Sequence, residues 1–180
     1  GVLAAGMAPA VAQQQGNLRW RLASSFPKSV DTLHGTAEMF ARQVGEMTNG
    51  RFQISVHGPG ELMPAFGVVD GVQNGTVECA FSASYYFFGK DPTFALDTAI
   101  PFGLNSRQMN AWMREGNGLK LLREFFAGYN IVNVTMGNTG AQMAGWYRKE
   151  IKSLADMKGL KMRIAGLAGA VMERMGVLPQ

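Results

Sequence analysis

Apolar positions along the chain follow two periods, and the switches between them mark the elements. Leu18 to Ser25 reads as a first strand, closed by a loop at Phe26-Pro27-Lys28. Beyond it Leu33, Ala37, Phe40, Val44 and Met47 step by 4, 3, 4 and 3, the spacing of one helix face, with Asp31 as N-cap and Gly50 as stop. Phe52, Ile54 and Val56 alternate as a second strand that ends at His57-Gly58-Pro59-Gly60. Pro64 opens a helix through Val68, Val69 and Val72 that stops at Gly75, and Val77, Cys79 and Phe81 form a third strand. This βαβαβ order predicts an α/β fold with a parallel sheet and right-handed crossovers.

The segment from Tyr85 to Gly103 is aromatic and irregular, with Tyr85-Tyr86-Phe87-Phe88 at its head. Four consecutive aromatics favour core. A cleft wall is the alternative, because the segment follows the carboxyl end of a strand, where open α/β sheets place ligands. Helices are predicted over 106–115, with Met109, Trp112 and Met113 inward, and over 119–126. Ile131, Val132, Val134 and Met136 predict a strand, and 142–147 and 161–164 two more, separated by a polar loop over 149–158. A last helix covers 167–175.

With 180 residues, 47% hydrophobic and 17% charged, the chain is long enough for a sizeable core. Its net charge of +4 is spread without a Lys/Arg run, which argues against nucleic acid as a partner. One cysteine and two histidines leave neither a disulfide framework nor a typical zinc site. Residues 1–12 are uncharged, mostly small or apolar, and end in Ala10-Val11-Ala12 before a polar run, which reads as the remnant of a secretory signal peptide; a disordered or loosely helical terminus is the alternative. The sequence carries no run long and apolar enough for a membrane span, so a soluble exported protein is expected. The halt at Leu178-Pro179-Gln180, just after Gly176 closes a helical pattern, suggests that the chain ends within a domain.

No G-x-S-x-G surrounds any serine, and Gly89-Lys90 is followed by Asp91, which is not a phosphate loop. His34 on a helix and His57 at a strand end read as structural. What remains is a polar set in apolar surroundings: Gly137-Asn138-Thr139-Gly140-Ala141-Gln142, and Arg163 at a strand end running into Ala165-Gly166 and a helix. An arginine so placed can offer a planar fork to a carboxylate, backed by free N–H groups at a helix start. It can equally be a surface arginine paired with Glu173 or another acid.

These residues resemble a known family. V-Q-N-G-T-V-E over 72–78, S-Y-Y-F-F-G-K-D-P over 84–92, P-F-G over 101–103, G-N-T-G-A-Q-M-A-G-W-Y over 137–147 and G-L-K-M-R-I-A-G-L-A-G over 159–169 are similar to the periplasmic solute receptors of TRAP transporters, in particular those that bind 2-oxo and 2-hydroxy monocarboxylates. The resemblance implies a periplasmic-binding-protein-like two-lobe fold of class II type, of which this chain holds the first lobe plus the beginning of the second: a signal peptide remnant over 1–12, a first lobe over 13–130, and a hinge strand and the start of the second lobe over 131–180. It implies that Arg163 grips the carboxylate, that Gln142 binds a sodium or calcium ion which the ligand also touches, and that Asn138 and Tyr86 add polar contacts. A 2-oxo acid suits such a site, since its carboxylate and keto oxygens can share a hard cation while the arginine takes the charge. The acidic residue and tryptophan that complete the family's cation site fall past Gln180, so the chain would hold half a site.

The resemblance further implies a periplasmic receptor delivering its ligand to TRAP membrane permease subunits for uptake across the inner membrane. It calls for no organic cofactor and no enzymatic activity, and it leaves room for a homodimer of the full-length protein. A dicarboxylate or sugar-acid receptor on the same scaffold is the alternative. An enzyme acting on small acids is a more distant one, since no general base lies near Arg163 in sequence.

Overall fold

A computed structural model describes residues 16–164 and 166–180. The expected signal remnant lies outside these residues. Strand β1 (Leu18–Ser24) runs parallel to β2 (Phe52–His57) on one side and to β3 (Cys79–Phe81) on the other, giving the order β2-β1-β3. Pairing runs from Leu18 opposite Phe52 to Ala23 opposite His57, and from Leu22 opposite Cys79 to Ser24 opposite Phe81. Helix α1 (Asp31–Met47) makes the first crossover and α2 (Val68–Gln73) the second. The chain thus changes direction across the sheet between β1 and β3, the kind of switch point where open α/β sheets leave a crevice at the strand ends.

Local chemistry accounts for these elements. On α1 Ala37 and His34 are fully buried and Leu33 and Val44 half-buried, while Phe40 and Met47 of the predicted stripe are exposed. The His34 ring is there for structure: its Nδ1 lies 3.1 Å from the Phe26 carbonyl oxygen, tying the helix to the loop that leaves β1. At the other end Asn49 and Gly50 both adopt left-handed φ, of 51° and 73°, and stop the helix. Arg21 and Glu78 lock β1 to the entry of β3: the guanidinium donates from Nε (3.1 Å) and Nη2 (2.7 Å) to the two carboxylate oxygens, and the Arg21 backbone N–H adds a third bond of 2.7 Å. This pair explains the glutamate of the V-Q-N-G-T-V-E stretch.

The main core gathers Ala23, Val68, Val69, Val77, Phe87, Met113, Leu122 and Phe126 around Phe94, which is 1% exposed. The Phe94 ring meets those of Phe125, Tyr129, Phe126 and Phe87 at centroid distances of 4.9, 5.0, 5.4 and 5.8 Å, in tilted or edge-on geometry. Helices α3 (Ser106–Arg114) and α4 (Gly118–Ala127) close this core, α3 starting from a reciprocal capping box between Asn105 and Gln108. A second, smaller core of Met157, Met162 and Val177, with Tyr147, Ile151, Ile164, Met172 and Met175 against it, lies around β4 (Lys161–Met162), α5 (Gly166–Arg174) and β5 (Leu178–Pro179), where β4 and β5 pair in parallel.

Four expectations need correction. Residues 131–136 and 142–147 are not strands; a ladder needs a partner backbone, and none pairs with them among the described residues. Asp31 is not the N-cap of α1: Val30 holds that position, and Asp31 sits in the first turn, where its charge still complements the helix dipole. The loop over 149–158 contains a short helical turn, Leu154–Met157, capped by Ser153 and Asp156. After Gly176 the chain turns into β5, a strand the sequence reading passed over because two residues show no alternation.

Candidate functional site

The carboxyl ends of β1 and β3 are held together by Ser25, whose backbone N–H donates to the Phe81 carbonyl (2.9 Å) and whose hydroxyl donates to the Ala65 carbonyl (2.6 Å) and meets the Ser82 hydroxyl (2.7 Å). The chain then makes a tight helical turn, Ser84–Phe87. With three residues per turn, side chains three apart share a face. The four aromatics therefore divide: Phe87 enters the main core, 4% exposed, while Tyr85, Tyr86 and Phe88 stay half-buried. The core reading of the aromatic run holds for Phe87. Tyr86 continues an aromatic wall, edge-on to Phe66 at 5.3 Å and tilted against Phe26 at 6.3 Å, and Tyr85 lies edge-on to Tyr86 at 4.7 Å.

Arg163 reaches this turn from the other core. It follows β4 directly and precedes α5, whose first residue, Gly166, is left-handed (φ 63°) and packed on the turn: a Cβ at Gly166 would lie 2.9 Å from the Tyr85 carbonyl oxygen and 3.6 Å from the Phe88 Cβ. The Tyr85 hydroxyl faces both Tyr86 and Arg163. Burial pushes its pKa up to about 12, the neighbouring Tyr86 adds to the rise, and the charge and hydrogen bonding of the Arg163 guanidinium oppose it. Arg163 is exposed and forms no ion pair with Glu173 or any other acid among the described residues. The Tyr85 hydroxyl thus interacts with the Arg163 guanidinium, while the first residue of a nine-residue helix is seated on the backbone of the same turn.

The other predicted site residues occupy the irregular segment between the cores. The Asn138 side-chain oxygen accepts from the Ser106 hydroxyl (2.7 Å) and the Gly140 backbone N–H (2.8 Å), binding the 137–140 loop to the start of α3. Gln142 is exposed, and its side-chain nitrogen donates to the Thr139 hydroxyl (3.1 Å), leaving the amide oxygen as the open acceptor. No hydrogen bond among the described residues joins Asn138 or Gln142 to Arg163. The structure thus couples Tyr85 to both Tyr86 and Arg163, and carries Asn138 and Gln142 on the irregular segment between the cores. Tyr85 was not singled out from the sequence. The signal was present, since Tyr85 and Phe88 are three apart in a tight turn and so share the face on which α5 sits.

A family model, that of the DctP bacterial extracellular solute-binding proteins (family 7), matches residues 23–180. The chain belongs to this family. A curated relative from Nostoc sp., a monocarboxylate 2-oxoacid-binding periplasmic protein, is 53% identical over 161 residues, covering 89% of this chain and 44% of the relative. The crystal structure of a TRAP transporter solute-binding protein from Bordetella bronchiseptica, a mixed-occupancy dimer with calcium and picolinate in its bound active site, superposes with a TM-score of 0.89 at 50% identity, over 92% of this chain and 49% of that one. A TRAP periplasmic solute-binding protein from Pseudoalteromonas atlantica, with bound sodium and pyruvate, gives 0.87 at 38% identity, over 91% and 50%. The α/β fold of this DctP-family chain is accordingly that of the periplasmic receptors, over about half the length of the relatives it matches.

Proposed function

We propose that this chain carries the carboxylate-gripping part of a periplasmic TRAP receptor for a small 2-oxo or 2-hydroxy monocarboxylate. The observation that carries the reading is Arg163: a charge-bearing fork beside the Tyr85 hydroxyl at the start of α5, with no acid of its own among the described residues. An unpaired guanidinium so placed is prepared for an anion. Its relatives bind pyruvate or picolinate, each of which presents a carboxylate beside a second donor atom. Those relatives also hold sodium or calcium. The open amide oxygen of Gln142 is the hard donor such an ion takes, and Gln142 is the residue that would hold it, together with oxygens of the ligand itself.

Arg163 and Tyr85 would bind and orient the carboxylate, Tyr86 would wall the site, and Asn138 would fix the loop that carries Gln142. The two separate cores support a division near residue 130 into a first lobe and the hinge with the start of a second. Delivery to TRAP membrane subunits and location in the periplasm follow from the same reading, and a receptor of this kind turns over no substrate. A calorimetric panel of pyruvate, a dicarboxylate and a sugar acid, run on the protein at its full natural length with calcium or sodium, tests it. Saturable binding of pyruvate above the other two is expected; preference for the dicarboxylate or the sugar acid would overturn the monocarboxylate assignment.

A further inference from the structure

Asp97 lies outside the groups named so far, yet its carboxylate accepts the hydroxyl of Ser84, the first residue of the turn that carries Tyr85. That turn has no side-chain cap of its own at Ala83, and Ser84 directs its hydroxyl toward Asp97 and, at 3.2 Å, toward the Thr98 hydroxyl. Asp97 itself is firmly placed. It follows the turn Pro92–Ala95, whose start is capped by the Asp91 carboxylate accepting the Thr93 N–H (2.7 Å) and whose Phe94 is the centre of the main core. The Thr98 and Ala99 backbone N–H groups both donate back to the Ala95 carbonyl, at 3.3 and 2.9 Å. Asp97 makes no ion pair among the described residues, so electrostatic pairing does not explain a half-buried carboxyl there. Burial raises its pKa, and the hydrogen bonds from Ser84 and Thr98 work against that rise.

We infer that Asp97 is a positioning residue for the carboxylate site: through Ser84 it fixes the 84–87 turn to the core, and so sets where Tyr85 meets Arg163 and where α5 is seated. The path is continuous, from Phe94 in the core through the 92–95 turn to Asp97, then Ser84, then Tyr85, whose carbonyl oxygen is the atom nearest a Cβ at Gly166. Phe87 anchors the last residue of the turn in the core, and the Asp97 carboxylate adds a second point of attachment at its first residue, so that the turn is held at both ends. The inference deepens the proposed function and rests on it for the identity of the ligand, while the contact between Asp97 and the tyrosine turn stands apart from any ligand.

The test compares Asp97→Ala, Asp97→Asn and Ser84→Ala in the protein at full natural length, containing 3-fluorotyrosine, with the Tyr85 fluorine resonance assigned through Tyr85→Phe. Affinity for pyruvate with calcium is read by calorimetry, and folding by the thermal midpoint. Asp97→Ala and Ser84→Ala are expected to move the Tyr85 resonance in the ligand-free protein and to weaken pyruvate about tenfold. Asp97→Asn, which still offers an acceptor oxygen, should keep both near wild type. Should Asp97→Ala fail to fold, Ser84→Ala decides alone. An unmoved Tyr85 resonance with unchanged affinity in a folded variant would overturn the positioning role. If the wild type binds no pyruvate, the proposed function fails, and the Tyr85 resonance by itself still upholds or overturns the positioning role.

Discussion

Gly166 and Tyr85 are packed so closely that a Cβ on the glycine would stand 2.9 Å from the tyrosine carbonyl oxygen, and Gly166 itself adopts a φ of 63°. Only a residue without a Cβ seats α5 on the aromatic turn without displacing one of them. That seat brings Arg163, which belongs with the smaller core, to Tyr85, which belongs with the larger one.

Gly166→Ala should therefore do more than strain the backbone. A left-handed residue with a side chain costs about 1–3 kcal/mol, and the clash with a backbone carbonyl adds displacement of the helix start. Lower thermal stability together with weaker pyruvate binding is expected. Gly137→Ala, whose Cβ would meet nothing within 4 Å, is the control and should change neither. Equal affinity in Gly166→Ala and wild type would show that the seat does not set the site.

Gln142 offers an amide oxygen with its nitrogen already engaged by Thr139. Gln142→Leu should remove the dependence of ligand affinity on added calcium or sodium while leaving the stability of the ligand-free protein within about 0.5 kcal/mol of wild type, as befits an exposed side chain. Titrations with and without each cation check it. A variant that retained the metal dependence would return Gln142 to the role of a loop residue.

The Arg21–Glu78 pair gives the fold a pH signature. Hydrogen bonds from the Arg21 side chain and backbone hold the Glu78 carboxyl at about 2, against an ordinary 4.5. The folded state thus favours the ionised form. The stabilisation is present above the ordinary carboxyl range and is lost as pH falls from about 4.5 toward 2. In thermal melts over that interval the wild type should lose stability more steeply than Glu78→Gln, which has no proton to take up. Parallel curves would mean that the pair contributes nothing measurable.

Much of this was legible in the sequence, and the parts that were not have a common cause. The period of α1 and the alternation of β2 are local properties, so the crossovers and the parallel sheet follow from them. Val132 and Val134 alternate just as well, yet their side chains are exposed and their backbone has no ladder partner among the described residues, because pairing is decided by a second segment and not by the pattern. The site shows the same contrast. Arg163 announced itself by residue type and by its strand–glycine–helix setting, whereas Tyr85 and Asp97 acquire their roles through contacts with residues far away in the chain, Arg163 in one case and the start of the aromatic turn in the other.

The measurement closest to the central claim is a calorimetric titration of pyruvate, with calcium present, into the protein at full natural length and its Arg163→Ala and Arg163→Lys variants. Charge-assisted hydrogen bonds of this kind are worth about 1.5–3 kcal/mol, and a lysine keeps the charge but loses the fork. The account predicts saturable binding by the wild type, a loss of at least about tenfold in Arg163→Ala, and partial recovery in Arg163→Lys. Near-native affinity in a folded Arg163→Ala protein would contradict it.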